Sequence, residues 1–284
     1  MDNVFEKGCL IQLSTSVWGG RIKLPPSFIT GADPKFVTAS KFLVDRDCLK
    51  PIEQLRGEAR NYIYGKSLPF PVPGVLFVPR GMIGEIDKKL EEYQQEFNKQ
   101  VDEFASHYSV FITQAKDKLG TLYNPTDYPQ NIKQKFGFEW RFLVIDTPGS
   151  AGLLSPELYE REQAKFIQTM DEFQDMAIQT LRSTFAEMID RVVDRLLENK
   201  KFKDSTIENL KEFLKDFNSL NITNDVELAT LVEKCSGIID NSLNPQDLRD
   251  DNKLREHIAK QMQEVQKTMM DSLIAKPTRK LRVA

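Results

Sequence analysis

Between Met82 and Leu119 the chain has no proline, and apolar residues recur every three or four positions. They are Ile83, Ile86, Leu90, Tyr93, Phe97, Val101, Phe104, Tyr108, Phe111 and Ala115. This stripe predicts one face of a single helix, close to a heptad with one stutter after Phe97. At 1.5 Å per residue that helix runs roughly 57 Å. A second long run opens at Ser155, a capping residue, with Pro156 in the first turn and Glu157 at the positive end of the helix dipole. It continues to about Asn199 with a seam of Phe166, Met170, Phe173, Ala177, Leu181, Phe185, Met188, Val192 and Leu196. Two matching stripes joined by a connector predict a long antiparallel coiled-coil helical hairpin.

The connector, residues 120–154, is patterned. A turn-rich run, Asn124 to Pro129, precedes a short helix at Asn131 to Phe136. Phe138 to Ile145 then reads as a strand, with Phe138, Trp140, Phe142 and Val144 alternating with Glu139, Arg141 and Leu143. This segment is expected as a small distal tip. Before the hairpin, residues 1–80 read as a small α+β base. Cys9 to Trp18 and Arg21 to Leu24 flank Gly19-Gly20 as a hairpin would. Phe36 to Val44 reads as a short strand or helix and Val75 to Val78 as a strand, and Asp47 is expected to cap a helix over Leu49 to Tyr64. After the hairpin, residues 201–275 form a helical C-terminal region. Ser205 opens a capping box, Thr223 or Asn224 caps a second helix, and Asn244-Pro245 opens a third. Residues 276–284 are a basic tail. The fold expected is therefore mostly α.

Composition narrows the class. The chain has 284 residues, 39 basic and 42 acidic, for a formal net charge of -3. That balance disfavours a wholesale electrostatic nucleic-acid binder. The cysteines Cys9, Cys48 and Cys235 are widely spaced and odd in number, which reads as reduced thiols, not a disulfide framework or zinc ribbon. There is no secretory leader pattern and no run of some 20 apolar residues. A cytoplasmic protein without a membrane span is expected.

Catalytic patterns fail on mechanics. Gly65-Lys66-Ser67 echoes a phosphate loop, but position 60 is Arg60, a helix precedes and Pro69 follows. The two histidines, His107 and His257, lie on helices, and neither has a Glu three residues before it for a di-iron pair. Asp171, Glu172 and Asp175, and Asp190, Asp194 and Glu198 with Arg191 and Arg195, read as charged helix flanks. Asp247, Asp250 and Asp251 lack the central glycine of a calcium loop. No catalytic residue, metal ligand or cofactor is assigned.

The candidate partner-binding residues are Tyr128, Phe138 and Trp140 of the tip and Arg279, Lys280 and Arg282 of the tail. The aromatics fill a small core or cap a partner-facing patch, with the core favoured. The tail is a solvated segment or a short recognition element for a partner or anionic surface.

Several runs also resemble a family. They are Val17-Trp18-Gly19-Gly20-Arg21 with Ile22-Lys23-Leu24, Phe42-Leu43-Val44-Asp45 leading to Leu49-Lys50-Pro51, and the Pro-rich crossing into a long helix from Pro79. The most specific is Leu122-Tyr123-Asn124-Pro125-Thr126-Asp127-Tyr128-Pro129, followed by Lys135-Phe136-Gly137-Phe138. Over residues 10–200 the chain resembles an uncharacterised bacteriophage and bacterial family, a domain of unknown function numbered thirty-one-fifty. The resemblance supplies no catalytic residues. It implies gene neighbours of the MoxR-type AAA+ ATPase and von Willebrand-factor-A-like kinds, and so an accessory or substrate role beside such an ATPase.

The expected function is a non-enzymatic interaction or structural protein, partnered by a MoxR-type AAA+ ATPase or by further copies of itself. The alternative is nucleic-acid association through the tail and through Lys7, Arg21, Lys23, Lys35 and Lys41 of the base.

Overall fold

A computed structural model of the chain describes residues 4–145, 155–197, 204–239 and 245–274. Among them are six strands and seven α-helices. In chain order they are β1 (Gly8–Ser16), β2 (Arg21–Lys23), β3 (Ser40–Phe42), α1 (Lys50–Lys66), β4 (Leu68–Pro69), β5 (Leu76–Pro79), α2 (Ile83–Leu119), β6 (Gly137–Leu143), α3 (Pro156–Leu197), α4 (Ser205–Leu220), α5 (Val226–Ile238), α6 (Pro245–Asp250) and α7 (Asn252–Ile274). The protein is mostly helical with small antiparallel sheet regions. None of the described helices is long and apolar enough to cross a membrane.

The chain divides into two compact units built from interleaved segments. Unit 1 takes residues 1–11, 64–83 and 142–284; unit 2 takes residues 12–63 and 84–141.

In unit 1, α3 is the spine. It packs on α7, α4 and β4, while α5 and α6 pack on α7. Its apolar face is buried along Met170, Phe173, Ala177, Leu181, Phe185, Ile189, Val192, Val193 and Leu196. The face steps from Met188 to Ile189 because a straight helix drifts relative to a strict heptad. Phe173 is sealed by two rings, Phe70 at 5.1 Å and Phe77 at 4.9 Å between centroids. Phe185 stacks on Phe213 of α4 at 5.9 Å. The opening of β1 pairs antiparallel with β5, Gly8 opposite Pro79 and Leu10 opposite Phe77, and β4 covers the other edge of β5.

Two buried cations fix the helical layer. The Arg182 guanidinium donates to both carboxylate oxygens of Asp225 at 2.6 and 2.8 Å, and to Glu227 at 2.8 Å. Asp225 also caps α5, accepting from the Leu228 N–H. Lys66, at the end of α1, pairs with Asp216 at 2.5 Å and Glu212 at 2.9 Å on α4. The phosphate-loop echo at Gly65-Lys66-Ser67 is thus an internal tie between elements.

In unit 2, α2 is the spine. Ile86, Leu90, Phe97, Val101, Phe104, Tyr108 and Ala115 are buried, and Tyr93 and Phe111 are half-buried. Tyr62 of α1 meets Tyr93, with ring centroids 6.1 Å apart. The segment expected at a distal tip runs back along α2 instead. Phe136 meets Phe104 at 5.7 Å, Phe138 meets Phe97 at 5.5 Å, and Trp140 donates to Asp87 at 2.8 Å. Each step toward β6 thus reaches a residue nearer the start of α2. The physical reason is the aromatic content of 136–140, which buries more surface against the helix flank than at its end.

The coiled-coil hairpin of α2 on α3 is not confirmed. The Gly19-Gly20 hairpin also gives way. Gly20 does take a positive φ of 53°, but β2 pairs with β3, Arg21 opposite Phe42 and Lys23 opposite Ser40. Trp18 leaves the ladder to pack on Phe104 at 6.2 Å and Tyr108 at 5.8 Å. That ring burial outweighs closure of a short turn.

Candidate functional site

Unit 2 carries an open groove of about 500 Å³ between the end of α2 and the segment after β3. Phe111, Ala115 and Leu119 enter it from α2 at helical spacing, and Phe42 and Val44 line the other side. Local chemistry fixes that side. The Asp45 carboxylate accepts from the Asp47 N–H at 3.2 Å, closing the turn Arg46–Cys48 that leads into α1. Lys118 reaches Asp45 at 3.3 Å, tying the groove's two walls together. The Asp47 N–H and then Lys118 hold the Asp45 carboxyl below its ordinary value. Asp47 in turn pairs with Lys50 at 2.6 Å.

The ribbon beside the groove has two unlike faces. Alternation puts Arg21, Lys23, Ser40 and Phe42 on one face and Ile22 and Lys41 on the other. Lys41 is absorbed inward, donating to the Leu122 carbonyl at 2.6 Å and pairing with Asp127 at 2.5 Å. Arg21, Lys23 and Phe42 are exposed. The Arg46 guanidinium lies over the Phe42 ring, 5.3 Å from its centroid. The loop joining β2 to β3 is closed by the Leu24 N–H donating to the Ala39 carbonyl at 2.9 Å. It displays Phe36 at 87%, Phe28 at 53% and Val37 at 43% exposure. So many large apolar side chains in one exposed segment are uncommon on a surface with no partner.

The residues singled out from sequence lie elsewhere. Tyr128 and Phe138 are buried. Tyr128 packs on Tyr123 at 5.6 Å, and burial pushes its phenol above the ordinary value. Trp140 is half-buried, its indole N–H spent on Asp87. Phe138 and Trp140 lie along α2 in unit 2, and Arg279, Lys280 and Arg282 lie outside the described residues. Of the basic residues of the base, Arg21, Lys23 and Lys35 are exposed, whereas Lys7 donates to the Ile222 carbonyl at 3.2 Å.

The remaining chemistry is quiet. His107 and His257 are exposed on their helices. Cys235 is fully buried, and burial pushes its thiol up to about 12. Burial also raises Cys9 and Cys48. Among the described residues no three His, Cys, Asp or Glu side chains come together as a metal-holding group. Sequence reasoning missed the groove. Its signal was present in Phe111 and Ala115, assigned to the seam, and in Phe42 and Val44, assigned to a short strand or helix.

Fold and groove together define a mostly helical protein with small antiparallel sheets and an open, apolar and cationic surface on one unit. The chain belongs to the family described as Protein of unknown function (DUF3150), whose model matches residues 5–255. No curated protein and no solved structure matches it.

Proposed function

We propose that this chain is a non-enzymatic interaction protein whose docking surface is the ribbon and groove of unit 2. One observation carries the reading: Phe28, Phe36, Val37 and Phe42 are all exposed within one short segment that leads into an apolar groove. Exposed rings of this size cost solvation unless a partner covers them. The groove walls are held by the capped turn after Asp45 and by the buried Lys41 contacts, with the exposed Asp45–Lys118 pair a weak addition. Preformed walls reduce the ordering cost of association. The accessory role beside a MoxR-type ATPase, expected from the family resemblance, is one identity for the partner; a second copy of the chain is the other.

A photo-crosslinking amino acid placed at Phe36 in the full chain, in the native host, tests this. The expected result is one dominant cross-linked protein from position 36 and little from a control at Val226, which is 65% exposed on unit 1. The mass of the adduct separates a second copy from another protein, and its dependence on ATP reports an ATPase. Equal, diffuse labelling from both positions would overturn the docking reading.

A further inference from the structure

The charges around the groove say what kind of segment it receives. Arg21, Lys23, Lys35 and Arg46 are all exposed, and none forms an ion pair among the described residues. The carboxylates interleaved with them are engaged. Asp45 is held by Lys118 at 3.3 Å and Asp47 by Lys50 at 2.6 Å, while Asp33 accepts from the Lys35 N–H at 2.9 Å. A chain of net charge -3 therefore places four cations outside ion pairs on one small ribbon and its flanks, against one carboxylate, Asp33, that no cation holds among the described residues. Arg46 and Phe42 themselves line the groove, beside Asp45, Asp47, Gln114 and Lys118. Phe111, Ala115 and Leu119 present two helical turns of α2, with Phe42 as the rim.

We infer that the segment docked here is an acidic peptide with apolar anchors: two or three large apolar side chains seated on Phe42, Phe111 and Leu119, flanked by Asp or Glu that meet Arg21, Lys23, Lys35 and Arg46. This inference rests on the docking reading above and adds the partner's chemistry. Cations at a rim steer an acidic partner and set its orientation, while the apolar floor supplies the affinity. Single-stranded nucleic acid fits the same cations less well. It stacks bases on free aromatic faces; the exposed Phe28 and Phe36 lie on the loop and not in the groove lining, where the Arg46 guanidinium covers one face of Phe42 and Val44, Ala115 and Leu119 are aliphatic.

The test is selection of random peptides displayed on phage against the full-length chain, followed by binding of the synthetic consensus peptide to wild type and variants. Phe42→Ala and the double variant Arg21→Glu/Arg46→Glu alter exposed side chains, and circular dichroism verifies that both fold. The expected consensus combines Leu, Phe, Ile or Met with Asp or Glu. Its binding weakens about tenfold in Phe42→Ala, the loss of one aromatic anchor, at least as much in the charge-reversed protein, and further as salt rises. A consensus that is neutral or basic yet still sensitive to Phe42→Ala overturns the acidic chemistry and leaves the docking surface standing. No enrichment, or a consensus indifferent to every variant, overturns both. A fluorescent oligothymidylate that binds at physiological salt, displaces the consensus peptide and is lost on charge reversal replaces the peptide with nucleic acid.

Discussion

Asp225→Ala should be among the most damaging single substitutions in unit 1, and its cost follows from the geometry. Arg182 is 4% exposed and its guanidinium donates to both Asp225 oxygens. Hydrogen bonding to Asp225 first, and then to Glu227, outweighs desolvation and holds the guanidinium more firmly protonated than usual. It cannot escape the loss of its partner by neutralising. Removing one member of a buried pair costs about 3–5 kcal/mol. Asp225 also caps α5 through the Leu228 N–H, and loss of a cap costs about 1 kcal/mol. Glu227 remains 2.8 Å from the guanidinium, but its side chain is 68% exposed and its contribution is screened. The net expectation is a loss of about 4 kcal/mol, a large share of the total stability of a typical domain. Asp225→Asn keeps an oxygen for the cap and should cost less. The double variant Arg182→Met/Asp225→Asn removes the buried charge, keeps the cap, and should return to within about 2 kcal/mol of wild type. Urea unfolding followed by far-UV circular dichroism, with midpoint and slope compared across the set, is the assay. A loss below about 1 kcal/mol for Asp225→Ala, or a double variant no better than Asp225→Ala, would refute the claim that the desolvated, unpaired Arg182 charge causes most of the loss.

Gly8→Ala should destabilise by about 3 kcal/mol. An added Cβ would sit 2.2 Å from the Val78 carbonyl oxygen and 2.6 Å from the Phe77 ring, and a carbonyl in a paired strand has little room to move; thermal unfolding reads the shift. Phe173→Ala, which empties a fully buried site between Phe70 and Phe77, should cost about 3–5 kcal/mol in the same urea assay. Stability should also fall at alkaline pH through Cys235. Its native thiol is held at about 12 against an ordinary 9.0. Between those values the native state keeps a proton that the unfolded state releases. Stability from this group is therefore full below the lower value and declines by about 1.4 kcal/mol per pH unit above it. Cys235→Ala should flatten that part of the profile, and an unchanged alkaline slope in its urea midpoints would assign the decline to other groups.

Local pattern alone carried much of this fold. The α2 stripe set that helix to within a residue of Ile83–Leu119, because an apolar period near 3.6 with no proline has few alternatives. Ser155 and Pro156 placed the start of α3 for equally local reasons, and the Ser155 hydroxyl accepts from the Leu158 N–H. The strand around Phe138 and the helix α1 were likewise legible. The caps at the helix starts were less so: Asp225, not Thr223 or Asn224, caps α5, and Asp204 precedes α4 without a side-chain bond. Several candidates compete within a few residues, and the winner is the one tertiary contacts orient.

What the sequence by itself determined is which residues are helical, which face of each helix is apolar, and which family the chain resembles. Tertiary structure alone decided which faces meet. A stripe states that it will be covered, not by what. The aromatic run 136–140 covers α2 because it folds back along it, and α7 and α4 cover α3. Only that packing buried Arg182 and Lys66 against carboxylates far along the chain. The groove has the same origin. Phe111 and Phe42 are unremarkable in sequence, and they become a surface because Trp18, Lys41 and Lys118 bring β3 to the end of α2, where both rings line the groove.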